Sequence, residues 1–217
     1  MTTGETLREA LTLAGPAGAL EALLEGPAGA VPPAVAVVCH PHPLHQGTML
    51  NKVVHTVARS LNELGLPALR FNYRGVGASE GAYADGLGEA EDAVAAAGYL
   101  AGRYPGVPLW LAGFSFGAVV SWRAAARLRP GQLVSIAPPV ERMADVVAGL
   151  RPDCPWLVVQ GDADEVVPCA GVRDYVARLA PPPELVVLPG VDHFFHGRLS
   201  LLKAVLHEHL AARVPRP

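Results

Sequence analysis

Apolar and polar positions along the chain follow two periods in turn. Short apolar runs at 34–39, 68–73, 109–113, 133–137, 156–160 and 185–188 read as β-strands. Between them lie longer stretches with helical periodicity, at 50–64, 87–103, 116–128, 141–150, 171–179 and 200–213. Several of the short runs, such as Val37-Val38-Cys39 and Leu157-Val158-Val159-Gln160, do not alternate, which suits strands covered on both faces. Strands that alternate with helices predict an α/β chain built on a mostly parallel sheet with crossover helices. In the last helix Leu201, Leu202, Val205, Leu206 and Leu210 form the apolar face, leaving His207 and His209 as surface residues. Ahead of the first parallel strand, residues 7–27 with Gly15-Pro16-Ala17-Gly18 at their centre read as an antiparallel hairpin, although 20–25 could also be helical.

No repeat or low-complexity linker interrupts the 217 residues, so a single domain is expected. Charged residues make up only 17% of the chain and apolar ones 51%, which excludes a disordered polyelectrolyte. The net charge is −3, and Lys and Arg are scattered singly, with lysine only at Lys52 and Lys203. No nucleic-acid-binding patch is therefore expected. The uncharged stretch 26–51 is broken by five prolines and three histidines and cannot span a bilayer. Met1 to Glu9 shows neither a basic flank nor a continuous apolar segment, so the expected location is cytoplasmic. Cys39, Cys154 and Cys169 are odd in number and lack metal-binding spacing, so they read as thiols in or near the core.

The strongest chemical signal is Gly113-Phe114-Ser115-Phe116-Gly117, set between a predicted strand and a predicted helix. A serine on such a sharp turn needs glycine neighbours, and the helix behind it points its first amides toward an oxyanion formed at the serine. A serine hydroxyl also needs a base and an orienting acid. Both follow in the chain: Asp162, Asp164 and Glu165 after one strand, His193 and His196 after the next. The order Ser, Asp, His is that of an α/β-hydrolase.

Through these motifs the chain resembles the α/β-hydrolases, and more narrowly the small capless bacterial serine hydrolases that carry His-Pro-His-Pro after the third strand. The likeness runs from Ala34 to Gly197. It includes His40-Pro41-His42-Pro43, Gly47-Thr48-Met49 and Arg70-Phe71-Asn72-Tyr73-Arg74-Gly75-Val76-Gly77. It implies an α/β-hydrolase fold with an N-terminal antiparallel hairpin, helices on both faces and no cap domain, consistent with the short segment 138–155 where many relatives insert a lid. It also implies Asp164 as the acid, from Gly-x-x-Asp-x-x-Val-Pro at Gly161 to Pro168, and His193 as the base; Asp162 and His196 are the competing choices.

An oxyanion hole needs two amides. Phe116 offers one; in the loop after the third strand Pro41 and Pro43 have no N–H, leaving His40, His42 and Leu44. Comparison with the His-Gly-x pattern of related hydrolases favours His42. The expected activity is cleavage of a small-molecule carboxylic ester on a short or accessible acyl group, with no cofactor; the same triad would serve a thioesterase or a peptidase. Two other readings stand beside it: a non-catalytic binding member of the superfamily, and a zinc hydrolase using the His-x-His-x-x-His spacing of His40, His42 and His45. Gly75-x-Gly77 lacks the third glycine of a dinucleotide loop, since Glu80 stands there, and reads as a tight turn on the active-site rim. Of Phe194 and Phe195, either could wall the site or fill the core. No role is evident for His55 or Arg74.

Overall fold

Val35–Cys39, fully buried along its whole length, occupies the middle of a sheet whose strand order is β1-β2-β4-β3-β5-β6-β7-β8. The computed structural model describes residues 6–216. Its strands are β1 (Thr6–Gly15), β2 (Gly18–Pro27), β3 (Val35–Cys39), β4 (Ala68–Phe71), β5 (Leu109–Phe114), β6 (Gln132–Ile136), β7 (Trp156–Gly161) and β8 (Glu184–Leu188). From β4 to β8 the pairing is parallel; β1 and β2 form the antiparallel hairpin, with Gly15 opposite Gly18, and β2 joins β4 antiparallel. The helical alternative for 20–25 is thus excluded: those residues are strand, with Leu20, Ala22 and Leu24 turned into the core. Of the N-terminal segment Met1 to Glu9, residues 1–5 lie outside the described ones.

The helices are α1 (Lys52–Glu63), α2 (Leu87–Arg103), α3 (Phe116–Leu128), α4 (Ala144–Val147), α5 (Cys169–Ala177) and α6 (Leu199–Leu210). Alternation along the central strands feeds two cores. Val35, Val37 and Cys39 face a layer that includes Leu100 of α2 and Val119 of α3. Ala36 and Val38 face Val57 and Leu61 of α1 and Leu206 of α6. Leu201, expected on the apolar face of α6, is exposed, whereas His209 ties α6 to β8 through a 2.5 Å contact from Nδ1 to Glu184 Oε1. α1 starts two residues later than its apolar pattern because Asn51 caps it, its side chain accepting from the N–H of Val53 at 2.9 Å.

The largest departure from the sequence reading is the expected helix 141–150, of which only α4 remains. Pro138 and Pro139 precede it, and Gly149, with φ 73°, turns the chain away just after it. The three cysteines are free thiols; burial pushes Cys39 up to about 12. Among the described residues no helix is long and apolar enough to cross a membrane.

Arg74, for which the sequence offers no role, fastens the loop after β4 to α2. Its Nη2 lies 2.7 Å from Asp92 Oδ1, its Nε 3.0 Å from Oδ2, and its backbone N–H donates to the same carboxylate. The Asp92 side chain is fully buried and that of Arg74 only 12% exposed. Removing one partner of such a pair strands the other charge, which costs about 3 kcal/mol or more. Asp92→Ala is therefore expected to lower stability in urea by about that amount; an unfolding midpoint equal to that of the wild type would rule out this anchoring.

Candidate active site

The turn between β5 and α3 dictates where Ser115 stands. Its backbone has φ 55° and ψ −123°, a conformation L side chains rarely adopt. The turn is closed by two hydrogen bonds, Ser115 N–H to Ile136 O at 2.8 Å and Ala118 N–H to Ser115 O at 2.9 Å. Glycine is required on both flanks by close approach: a Cβ on Gly113 would stand 2.1 Å from Gly117 O, and one on Gly117 would stand 2.4 Å from Cys39 O. The serine side chain is thereby lifted above the carboxyl ends of the strands, where ligands meet open α/β sheets.

Asp164 and His193 reach the same spot from the loops after β7 and β8. His193 Nε2 is 3.1 Å from Ser115 Oγ, and His193 Nδ1 is 2.8 Å from Asp164 Oδ2. A carboxylate only accepts, so Nδ1 carries the ring proton and Nε2 is free to accept from the hydroxyl. Asp164 is held by the N–H of Val166 at 2.9 Å and of Val167 at 2.6 Å, both to Oδ1, and by Gln160 Nε2 at 3.1 Å on Oδ2. Both Asp164 and His193 are buried, while Ser115 is half-buried at the cleft.

The competing residues lie elsewhere. Asp162 accepts from the N–H of Gly190 at 2.6 Å and so braces its own loop against the next one. His196, its side chain 76% exposed, pairs with Asp192, which is thereby directed away from the cleft. Phe195 is buried in the core; Phe194 is half exposed and lines the cleft.

The three loop histidines do not form a shared donor set. His40 Nδ1–H donates to Pro41 O at 2.7 Å and Nε2 accepts from Tyr73 N–H at 3.2 Å, so both of its nitrogens are spent. The His42 ring is also engaged at both ends: Nδ1 accepts from Leu44 N–H at 3.2 Å, and Nε2 meets Tyr83 Oη at 3.2 Å. Among the described residues no group of three His, Cys, Asp or Glu is arranged to hold a metal ion. His40, His42 and His45, the ligands of the zinc alternative, are thus not gathered as a set of three. The Leu44 amide, occupied by this bond, also drops out as an oxyanion donor. Phe116, as the first residue of α3, has an N–H with no acceptor inside the helix.

Several supporting residues are given no role by the sequence. Arg70 Nη1 donates to Met49 O at 2.8 Å and Asn72 Oδ1 accepts from Met49 N–H at 2.8 Å, so β4 and the residue beyond it pin the loop that follows β3. Their motif was visible in the sequence, but their partner was not. The turn at Gly75 and Gly77 forms as expected but not on the rim. It is bonded to the hairpin, through Glu80 N–H to Ala19 O at 2.8 Å and Ala78 N–H to Glu21 Oε2 at 2.9 Å. A cleft of about 600 Å³ opens over Ser115 and His193, lined also by residues of the loops after β3, β4, β6 and β7.

No family model matches the chain. The α/β serine hydrolase without lid from Xanthomonas campestris superposes on it with a TM-score of 0.93 at 44% identity, covering 100% of this chain and 98% of that one. The chain belongs to the lidless α/β serine hydrolases. An α/β serine hydrolase homologue from Coxiella burnetii gives a TM-score of 0.89 at 46% identity, over 93% of this chain and 97% of that one. An uncharacterized protein of Rickettsia prowazekii is 35% identical over 186 residues, 81% of this chain and 78% of its own length. The short α4 segment between β6 and β7, where a lid would be inserted, accords with membership in this lidless group.

His40 gives this hydrolase an acid-sensitive joint beneath the site. Burial pushes its imidazole down to about 3. The unfolded chain takes up that proton near pH 6.5, so stability from this residue is present above about 6.5 and is lost as pH falls toward about 3, at up to ~1.4 kcal/mol per pH unit. Urea unfolding between about pH 7 and pH 5 is expected to show a shallower acid decline in His40→Asn than in the wild type, by about one proton's slope. Parallel declines would show that this histidine is not the sensitive group.

Proposed function

We propose that the protein hydrolyses carboxylic esters through an acyl-enzyme formed on Ser115. The observation that carries this reading is the unbroken hydrogen-bond chain from Ser115 Oγ through His193 to Asp164. His193 Nε2 takes the hydroxyl proton as Oγ attacks the ester carbonyl, and then gives it to the departing alcohol oxygen. Water, deprotonated by the same nitrogen, attacks the acyl-enzyme and releases the acid and the free serine. Asp164 holds the tautomer with the proton on Nδ1 and stabilises the imidazolium formed in each half-reaction.

The negative oxygen of each tetrahedral intermediate is received by the N–H of Phe116 and of His42. Support for His42 comes by narrowing: Pro41 and Pro43 lack an N–H and Leu44 spends its own on the His42 ring, and of the two amides left, those of His40 and His42, the likeness to related hydrolases favours His42. That ring, fixed at Nδ1 by Leu44 and at Nε2 by Tyr83, orients the peptide that would serve the oxyanion. Donors fixed before reaction need no reorganisation as charge develops, which is the source of their effect.

Ser115→Ala is expected to abolish both turnover of short-chain chromogenic esters and labelling by a fluorophosphonate. Asp164→Asn keeps the shape but favours the wrong tautomer, and turnover is expected to fall by about four orders of magnitude with the circular-dichroism spectrum unchanged. Near-normal turnover in Asp164→Asn, with a large loss in Asp162→Asn instead, would move the acid to Asp162. Persistent labelling of Ser115→Ala would remove the serine from the mechanism.

A further inference from the structure

The strand order sets two unlike walls on either side of Ser115. β5 carries the serine, with β3 and β4 on one side and β6, β7 and β8 on the other. The loops after β3 and β4 bring His45, Gln46, Asn51, Tyr83 and Asp85 to the cleft. Those after β6, β7 and β8 bring Pro139, Met143, Val146, Val166, Val167 and Phe194, with Arg142 as a charged exception. A substrate of uniform polarity would match only one wall. Apolar atoms over Asp85 would strip water from a charge without replacing it, and a hydroxylated group over Val166 would lose its own water unrewarded.

Asp85 is exposed at the cleft, and its backbone is held in place. Its φ of 52° is left-handed, and it is flanked by two amides that both donate to one carboxylate: Ala84 N–H to Glu89 Oε1 at 2.9 Å and Gly86 N–H to Oε2 at 2.7 Å. Glu89 is fully buried. The next residue, Gly86, is buried beside the site: a Cβ there would make ordinary contact with Met143 Cε at 3.4 Å and Phe116 Cε2 at 3.5 Å. Asp85 thus sits one residue from the aromatic ring that follows the nucleophile. A backbone outlier fixed by a buried acid and opening on a cleft is the pattern of a functional constraint. Since an ionised carboxylate can only accept, its ligand must donate a hydrogen bond.

We propose that the cleft selects amphiphilic esters, with an apolar part seated on the β6–β8 side and a hydroxyl or ammonium donor received by Asp85 on the β3–β4 side. This rests on the acyl-transfer reading above and makes Asp85 the residue that determines specificity. The test compares kcat/KM within matched sets: glyceryl monobutyrate against propyl butyrate, with the donor on the alcohol, and ethyl β-hydroxybutyrate and ethyl β-aminobutyrate against ethyl butyrate, with the donor on the acyl part.

In the wild type at least one donor-bearing ester is expected to exceed its alkyl counterpart by about tenfold, the order of one hydrogen bond to a charged acceptor. In Asp85→Gly, where glycine suits the left-handed backbone, that ratio is expected to collapse to about one. A preference carried by the amino ester identifies an ammonium ligand, and one carried by a hydroxylated ester identifies a hydroxyl. Wild-type ratios near one in every set, or a preference that survives Asp85→Gly, would overturn the proposal. Failure of the underlying reading looks different: no ester would be turned over and Ser115 would not be labelled.

Discussion

A serine in a left-handed backbone conformation at the end of a buried parallel strand organises the molecule. Holding a non-glycine residue there costs on the order of 1–3 kcal/mol, and it persists only where its surroundings leave no alternative. Those surroundings are specific: β6 accepts the Ser115 N–H, and Gly117 of α3 is pressed against the carbonyls that end β3. Either contact depends on β3, β5 and β6 running parallel and side by side, which in turn needs helices on both faces. The two cores therefore do more than stabilise the sheet. They clamp the strained peptide that sets the direction of the Ser115 side chain.

The same logic extends outward through buried polar groups. At the carboxyl ends of the strands, backbone and side-chain groups are withdrawn from water and must find partners. Arg70 and Asn72 meet the Met49 peptide, Gln160 meets Asp164 and the Val167 carbonyl, and His40 meets Tyr73. None of these groups touches Ser115 Oγ. Each one fixes a loop that lines the cleft over that serine, although Arg70 Nε and Gln160 Oε1 stay buried without a partner.

What the sequence made legible follows from the range over which each signal acts. The serine turn is a local pattern of five residues, and Asp164 and His193 each follow their own strand, so the meeting of these three side chains is legible in the sequence. So was the hairpin, from its central glycines. Helix 141–150 was overestimated because apolar spacing persists there while Pro139 and Gly149 leave room for a single turn. Gly75 and Gly77 were recognised as a turn but placed on the wrong surface. The turn's position is set by Glu21 and Ala19, more than fifty residues earlier. Gln160, Glu89 and Asp92 could not be given work at all, because a buried polar residue inside an apolar pattern declares that it has a partner without naming it.

The lack of a lid changes where selectivity must reside. An enzyme with a closing cap can expel water and assemble contacts after the substrate arrives, using binding energy to drive the closure. Here the segment between β6 and β7 is too short to close, and it is itself tied down, with Arg123 Nη1 on α3 donating to Val146 O at 3.0 Å. On the opposite side Arg74, Asp92 and Glu89 fix the loop after β4. On the ester-hydrolysing reading, an open cleft between two braced walls selects by the shape and chemistry already displayed on them, and their division into a hydrogen-bonding side and an apolar side is where that selection would be made.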